Sequence, residues 1–360
     1  MSAIIILCKT LLKGGAEKQA LILSRSLTEE NKDIILITWC GDKIDPSHLE
    51  FMRNNFIRHI ELKGNPIKKW IDLQRVIKKE KVTIILSYLS LANFIAGLSK
   101  LFKRNLITIG GVRSEKLAFI KFIFERFTHN HLNDATVFNN YSAKKKFGKR
   151  GFNPDKIKVI HNAIRNLPSD QRTGNDNVVN IVSVSRFVKL KDYRTALSSF
   201  KEVRDKNTLK KTKYYIVGFG PQEEEIRTLI KKFELNDDVS VLINPPDIPG
   251  ILKNCDIFLS TSLQEGLSNS IMEAMVAGLP VVATNVGDNP YLIKNAYNGF
   301  IVPPKNVKII ASKLEFLSDF EDIRREFGKN SKKIIEEEFS EKKLLENYLE
   351  LFSDLSNTKT

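Results

Sequence analysis

Short runs of β-branched and other apolar residues alternate with segments of helical period along nearly the whole chain. Residues 4–7, 34–39, 84–87, 106–109 and 135–138 read as strands, with helices at 16–27, 69–80, 92–100 and 143–147. Strands alternating with helices predict a parallel sheet joined by crossovers. Near 161–180 the pattern gives way to a polar stretch containing Gly and Pro, which reads as a linker. Alternation then resumes, with strands at 179–184, 214–217, 239–242, 257–260 and 281–284 and helices at 194–205, 222–233, 269–277 and 307–318. The expected architecture is α/β: two tandem Rossmann-like domains, 1–168 and 169–338, with a ligand cleft between them. A Leu- and Glu-rich amphipathic stretch near 341–355 either ends the second domain or crosses back to the first.

At 360 residues the chain is long enough for two cores of ordinary size. No apolar run reaches the eighteen or so residues a spanning helix needs, and the N-terminus reads as a core strand, not a secretion signal. Cys8, Cys40 and Cys255 are isolated within or beside apolar strands, which suits buried free thiols in a reducing compartment, the cytoplasm, and neither disulfides nor zinc. Net charge is +15 and unevenly placed. Residues 1–150 hold 27 Lys and Arg against 13 Asp and Glu, whereas residues 151–360 hold 30 against 29. Such asymmetry points to an anionic partner for one domain, either a nucleic acid or an acidic membrane surface.

Two carboxylates, Glu265 and Glu273, lie in a strand–loop–helix–strand unit that begins with the apolar run 257–260 and ends in Gly278-Leu-Pro-Val-Val. Such a loop lies at the carboxyl edge of a parallel sheet, where open α/β sheets bind ligands. Helix amides there attract phosphate, and carboxylate oxygens accept from sugar hydroxyls. Arg186 and Lys191 follow the first strand of the second domain and together suit a diphosphate. Gly218-Phe-Gly220-Pro221 reads as a tight strand–helix turn lining a cleft. Gly14-Gly15 precedes a helix in the first domain and lets backbone approach a ligand closely, although neither a P-loop nor a Gly-x-Gly-x-x-Gly pattern is present.

In order and spacing, Gly14-Gly15-Ala-Glu17, Asn162-Ala-Ile, Arg186 with Lys191, Gly218-x-Gly-Pro and Glu265-x7-Glu273 resemble the family-four retaining glycosyltransferases of the GT-B fold. The resemblance covers nearly the entire chain. It implies transfer of a hexose or N-acetylhexosamine from a nucleoside diphosphate sugar, a UDP-sugar, with retention of configuration. By it, Arg186 and Lys191 hold the donor diphosphate, Glu273 binds the ribose, and Glu265 contacts the transferred sugar without being assigned as nucleophile. The amides of Gly266, Leu267, Ser268 and Asn269 would cradle phosphate or sugar, a loop at 244–248 beginning with Asn244 would hold the base beside Gly218, and Gly14 and Gly15 would face the donor from the other domain. The C-terminal helix, 339–360, would cross back to the first domain. Asp-x-Asp is missing from the sequence, so no metal cofactor is expected.

Three departures accompany the resemblance. Ser185 stands where the family has Gly, Gly287-Asp-Asn-Pro-Tyr291 replaces a Gly-Gly-x-x-Glu, and Gly110-Gly-Val-Arg113-Ser114 replaces a strand end that carries His in many relatives. Arg113 is then a candidate for acceptor or donor phosphates, and Ser87, Tyr88 and Asn93 for the acceptor side. The cationic, aromatic stretch 116–131, with basic clusters near 101–104 and 144–150, can lie in an anionic membrane interface. The acceptor is therefore expected to be a lipid-linked or cell-surface glycan of capsule or lipopolysaccharide biosynthesis. The enzyme itself is expected to be peripheral on the inner face of the cell membrane, without nucleic acid. Rival readings are a nucleotide-sugar epimerase of the same plan and a nucleic-acid-binding protein.

Overall fold

Five consecutive buried residues, Ile-Ile-Ile-Leu-Cys, form β1 (Ile4–Cys8), because a parallel strand covered on both faces has no solvent side to mark with polar residues. The computed structural model describes residues 3–12, 14–41, 43–113, 117–164, 177–206 and 209–358. Two compact units result, one of Met1–Ala163 with Glu341–Thr360 and one of Ile164–Ser340. The expected linker falls partly, and the expected boundary at 168 entirely, outside the described residues.

In the first unit β1 is followed by α1 (Gly15–Glu29), β2 (Ile34–Thr38), α2 (Pro46–Asn54), β3 (Arg58–Glu61), α3 (Pro66–Lys79), β4 (Ile84–Tyr88) and α4 (Ser90–Ser99). Next come β5 (Ile107–Val112), α5 (Phe119–Phe127), a π-helical turn (Thr128–Leu132), β6 (Ala135–Phe138), α6 (Tyr141–Gly148) and β7 (Ile157–Val159). All pairings are parallel, in the order β3-β2-β1-β4-β5-β6-β7. Alternate residues of the strands feed two layers. Ile4, Ile6 and Cys8 pack with α1 and α2, and Ile5 and Leu7 with α3 and α4.

The second unit runs β8 (Val178–Val184), α7 (Tyr193–Asp205), β9 (Lys211–Gly218), α8 (Glu223–Lys232), β10 (Val239–Ile243), α9 (Ile248–Lys253), β11 (Ile257–Ser260) and α10 (Asn269–Val276). It ends with β12 (Val281–Thr284), α11 (Asn289–Leu292), β13 (Gly299–Val302), α12 (Val307–Asp319) and α13 (Glu321–Glu338). Its parallel sheet is ordered β10-β9-β8-β11-β12-β13. The last helix, α14 (Glu341–Asn357), belongs to the first unit, where Leu344, Tyr348, Leu351 and Phe352 join the core beneath α1.

Several elements escape the sequence reading. β3 is an edge strand of Arg-His-Ile-Glu whose residues are only partly buried or exposed, so it carries no apolar run. α13 buries only one stripe, including Phe327, Ser331, Ile334 and Ile335, in an otherwise charged segment. α2 had a legible start, since Asp45 accepts from Ser47 N at 3.0 Å and Pro46 opens the first turn.

Candidate active site

In each sheet the strand order reverses once, between β1 and β4 in the first unit and between β8 and β11 in the second. Ligands of open α/β sheets bind beyond the carboxyl ends of the strands at that reversal. In the second unit the connections leaving β8 and β11 carry Arg186 with Lys191 and Glu265, respectively.

Lys191 and Glu265 form an ion pair through Nζ and Oε1, both largely withdrawn from water. Ser262 donates its hydroxyl to the same carboxylate oxygen at 2.7 Å. The neighbouring Thr261 hydroxyl bonds the Lys191 carbonyl at 2.9 Å and the Asp192 carbonyl at 3.1 Å. The backbones are joined as well, Leu263 N donating to Leu190 O at 2.8 Å. Asp192 adopts a left-handed conformation (φ 49°, ψ 53°), one that Asp tolerates better than most residues. Its carboxylate accepts from the Thr195 hydroxyl at 2.7 Å at the start of α7. Lys191, Ser262 and Glu265 line a small pocket with Ser185, Tyr193 and Ser270. The Ser185 hydroxyl lies 2.7 Å from that of Tyr193, and burial raises the Tyr193 phenol well above its usual range.

Arg186 projects into solvent, and among the described residues no carboxylate pairs with it. Gly218 fixes the loop that presents it. At φ 150°, a Cβ there would sit 1.9 Å from Ser185 O, so only glycine lets β9 run this close to the 185–187 backbone. Gly287 does the same for Glu265. Its φ is 56°, and a Cβ would lie 2.1 Å from Glu265 O. The divergent 287–291 segment thus packs directly on the backbone of Glu265.

Ser268 caps α10 without a side-chain bond to its first-turn amides, which leaves that positive helix end for an anionic ligand. Leu267 packs inward on the core and Ser268 is buried, whereas Asn269 is exposed and Glu273 half-buried one turn later on the same helix. Asn244 is exposed, in a left-handed conformation, and donates its N–H to Gly218 O at 3.1 Å. The loop it begins borders a groove of about 530 Å³ lined by Tyr215, Leu242, Pro245, Pro246, Asp247 and Ile251, among others.

The first-unit candidates divide. Gly14 and Gly15 are exposed at the start of α1. Ser87 and Asn93 are fully buried. Asn93 accepts from Ser87 Oγ at 2.9 Å and Gly111 N at 3.0 Å and donates to Glu125 at 2.7 Å. These two side chains brace β4, β5, α4 and α5 from within and present nothing to an acceptor. Arg113 lies at the carboxyl end of β5, bonded to Asn162 Oδ1 at 2.8 Å and Tyr348 OH at 3.1 Å, with its guanidinium 5.0 Å from the Tyr88 ring centre. All three partners are neutral. Ser114 lies outside the described residues. Sequence reasoning missed Thr261 and Ser262, because hydroxyl residues in loops carry no signal until their partners are known.

Residues 168–334 match the model of a family described as "Glycosyl transferases group 1". The chain is 28% identical over 170 residues to a putative colanic acid biosynthesis glycosyltransferase, WcaL, of Escherichia coli (strain K12), covering 45% of this chain and 41% of WcaL. It spans less than half the length of the first curated relatives it matches. The capsular polysaccharide biosynthesis glycosyltransferase CapM of Staphylococcus aureus is 25% identical over 344 residues, 87% of this chain and 88% of CapM. Among solved structures, Anabaena Alr3699/HepE in complex with UDP aligns with a TM-score of 0.78 at 17% identity, covering 98% of this chain and all of that one. At that identity the likeness shows the fold, two Rossmann-like units of the GT-B type. Over residues 168–334, just under half of its length, the chain is similar to glycosyl transferases group 1.

Proposed function

We propose that the protein is a retaining glycosyltransferase that moves a hexose or N-acetylhexosamine from a nucleoside diphosphate sugar, a UDP-sugar, to a lipid-linked or cell-surface glycan. The observation that carries this reading is the Lys191–Glu265 ion pair at the sheet's reversal point, with Arg186, which pairs with no carboxylate among the described residues, on the same loop as Lys191. Cleavage of a glycosyl–phosphate bond gathers negative charge on the departing diphosphate, and cations fixed in advance stabilise that charge most in the transition state. Arg186 and Lys191 supply them, so the reading requires no metal ion. The amides of 266–269 at the start of α10 face phosphate or sugar. Glu273 takes the ribose hydroxyls, and Glu265 both orients Lys191 and contacts the transferred sugar. Gly14, Gly15 and Arg113 remain as first-unit contacts to phosphate groups of donor or acceptor.

The names of the WcaL and CapM relatives support a place in surface polysaccharide biosynthesis, capsule or lipopolysaccharide included, over the epimerase and nucleic-acid readings. No helix is long and apolar enough to cross a membrane among the described residues. The reading has a cytoplasmic enzyme held peripherally on the inner membrane face, its cationic first unit attracted to anionic lipid.

The test is a thermal-shift and transfer series with UDP-, GDP- and ADP-sugars. A UDP-sugar should raise the melting temperature of the wild-type protein by mass action. Lys191→Ala and Glu273→Ala should stay folded, lose that shift, and lower kcat/KM about a hundredfold or more, with wild-type transfer persisting in EDTA. Full transfer by both variants would sink the site assignment.

A further inference from the structure

α3, α4 and α5 lie side by side as one layer of the first unit. Trp70 of α3 meets Phe102, just beyond α4, at 5.8 Å between ring centres, and Gln74 bonds Ser99 at 3.0 Å. Phe94 of α4 meets Phe124 of α5 at 4.6 Å. In α4 and α5 the outer side departs from that of an ordinary surface helix, which is polar and charged. α4, Ser-Leu-Ala-Asn-Phe-Ile-Ala-Gly-Leu-Ser, has no charged residue. The only acid of α5, Glu125, is turned inward and fully buried. The large apolar side chains exposed here are Ile67 on α3, Leu101 and Phe102 at the end of α4, and Phe119 and Ile120 on α5, each 70% exposed or more, with Phe127 half exposed. Scattered apolar residues on a surface are ordinary, but large exposed apolar side chains gathered on three adjacent helices mark a candidate interaction site.

The charge around this face selects its occupant. Residues 51–150 carry 21 Lys and Arg against 6 Asp and Glu, and Lys68, Arg104, Lys121 and Arg126 stand exposed among the apolar positions. Apolar side chains that reach past a fringe of cations match the layering of an anionic bilayer, with phosphate at the surface and acyl chain beneath. We propose that the α3–α4–α5 face enters the interface of an anionic phospholipid bilayer, with Phe119, Ile120, Leu101 and Phe102 below the headgroups and the lysines and arginines at phosphate level. The inference rests on the reading of a membrane-apposed acceptor and replaces simple electrostatic attraction with apolar insertion. Those two mechanisms differ in their response to salt, because screening removes the first and spares the second.

Flotation of the full chain with vesicles of phosphatidylglycerol and phosphatidylcholine, against pure phosphatidylcholine, tests it at low and at high salt. Wild-type protein should bind the anionic vesicles, keep a measurable bound fraction at high salt, and show quenching of Trp70 by brominated lipid. The pairs Phe119→Ser/Ile120→Ser and Leu101→Ser/Phe102→Ser should each weaken partitioning about tenfold or more and abolish the salt-resistant fraction. Their UDP-induced melting shift should equal the wild type's, which separates failure of the surface from failure of the donor site. Binding that is wholly salt-sensitive and indifferent to both serine pairs would overturn insertion while leaving electrostatic docking. No vesicle binding at all would overturn both. A wild-type dimer that the serine pairs convert to monomer would assign the face to a second copy of the chain instead.

Discussion

Ser262 is buried at the end of β11 and gives its one proton to Glu265, the carboxylate that in turn holds Lys191. Its own carbonyl accepts from the Thr284 hydroxyl at 2.6 Å, so the residue is fixed from the neighbouring strand as well. Adjacent hydroxyls therefore hold the two ends of one ion pair, Thr261 through the Lys191 backbone and Ser262 through the Glu265 carboxylate. Hydrogen bonds to charged groups contribute about 1.5–3 kcal/mol. Ser262→Ala should accordingly lower kcat by roughly ten- to a hundredfold with little change in donor KM, and Ser262→Thr should restore most of it. An alanine variant with wild-type kcat would show that Lys191 and Glu265 need no such support. The sequence singled out Arg186, Lys191, Glu265 and Glu273 as candidates from their places in strand-to-helix connections, whereas the pairing of Lys191 with Glu265 is seen only in the structure. The hydroxyls were not singled out, since Thr261 reaches back 70 positions to Lys191. The opposite error befell Ser87 and Asn93, polar residues near a sheet edge that turn inward and satisfy one another.

At the scale of elements, the π-helical turn after α5 shows how a local irregularity is paid in pH dependence. It buries His129 completely, with Nδ1 2.8 Å from the Thr136 hydroxyl and Nε2 3.0 Å from Asn153 O. Burial, and to a lesser degree the nearby Lys156 charge, lowers its pKa to about 4, against the hydrogen bond to Asn153. In the unfolded chain the imidazole titrates near 6.5, so the unfolded state binds the extra proton first. The stabilisation is present in full above pH 6.5 and is lost as pH falls toward 4. Over that window the loss approaches about 3 kcal/mol. Urea unfolding between pH 7 and 4 should show this slope, and His129→Gln should flatten it even if the variant is less stable throughout. An unchanged slope in the variant would assign the acid sensitivity to other groups. Strong apolar periodicity made most elements readable, while β3 and α13 were hidden because their burial is partial and tertiary. No single-sequence pattern distinguishes a four-residue edge strand with two charges from a loop.

For the molecule as a whole, the chain order conceals which pieces belong together. The last helix, α14, follows the second unit in sequence, yet its apolar stripe completes the core of the first. Tyr348 is wholly buried there, Leu344, Leu351 and Phe352 nearly so, and Glu341 pairs with Arg25 of α1. Burying a large apolar side chain contributes about 1.5–3 kcal/mol. Four such residues together match the entire net stability of a typical domain, about 5–15 kcal/mol. The Arg113 bond to Tyr348 extends the dependence to the carboxyl edge of the sheet, because without the helix that guanidinium keeps, among the described residues, Asn162 and the Tyr88 ring. A chain ending at Ser340 should therefore lose amide-exchange protection across the first unit, in β1, β4 and α1 above all. The second unit, whose core clusters draw only on its own elements, should keep its protection. A UDP-sugar should still bind the truncated protein, more weakly by whatever the first unit contributes, while transfer to any acceptor is lost. Supplying α14 as a separate peptide should return protection to the first unit, because the stripe that docks on α1 lies within one continuous helix. Wild-type protection of residues 1–163 in the truncated chain would mean that α14 is an ornament of this unit and not part of its core.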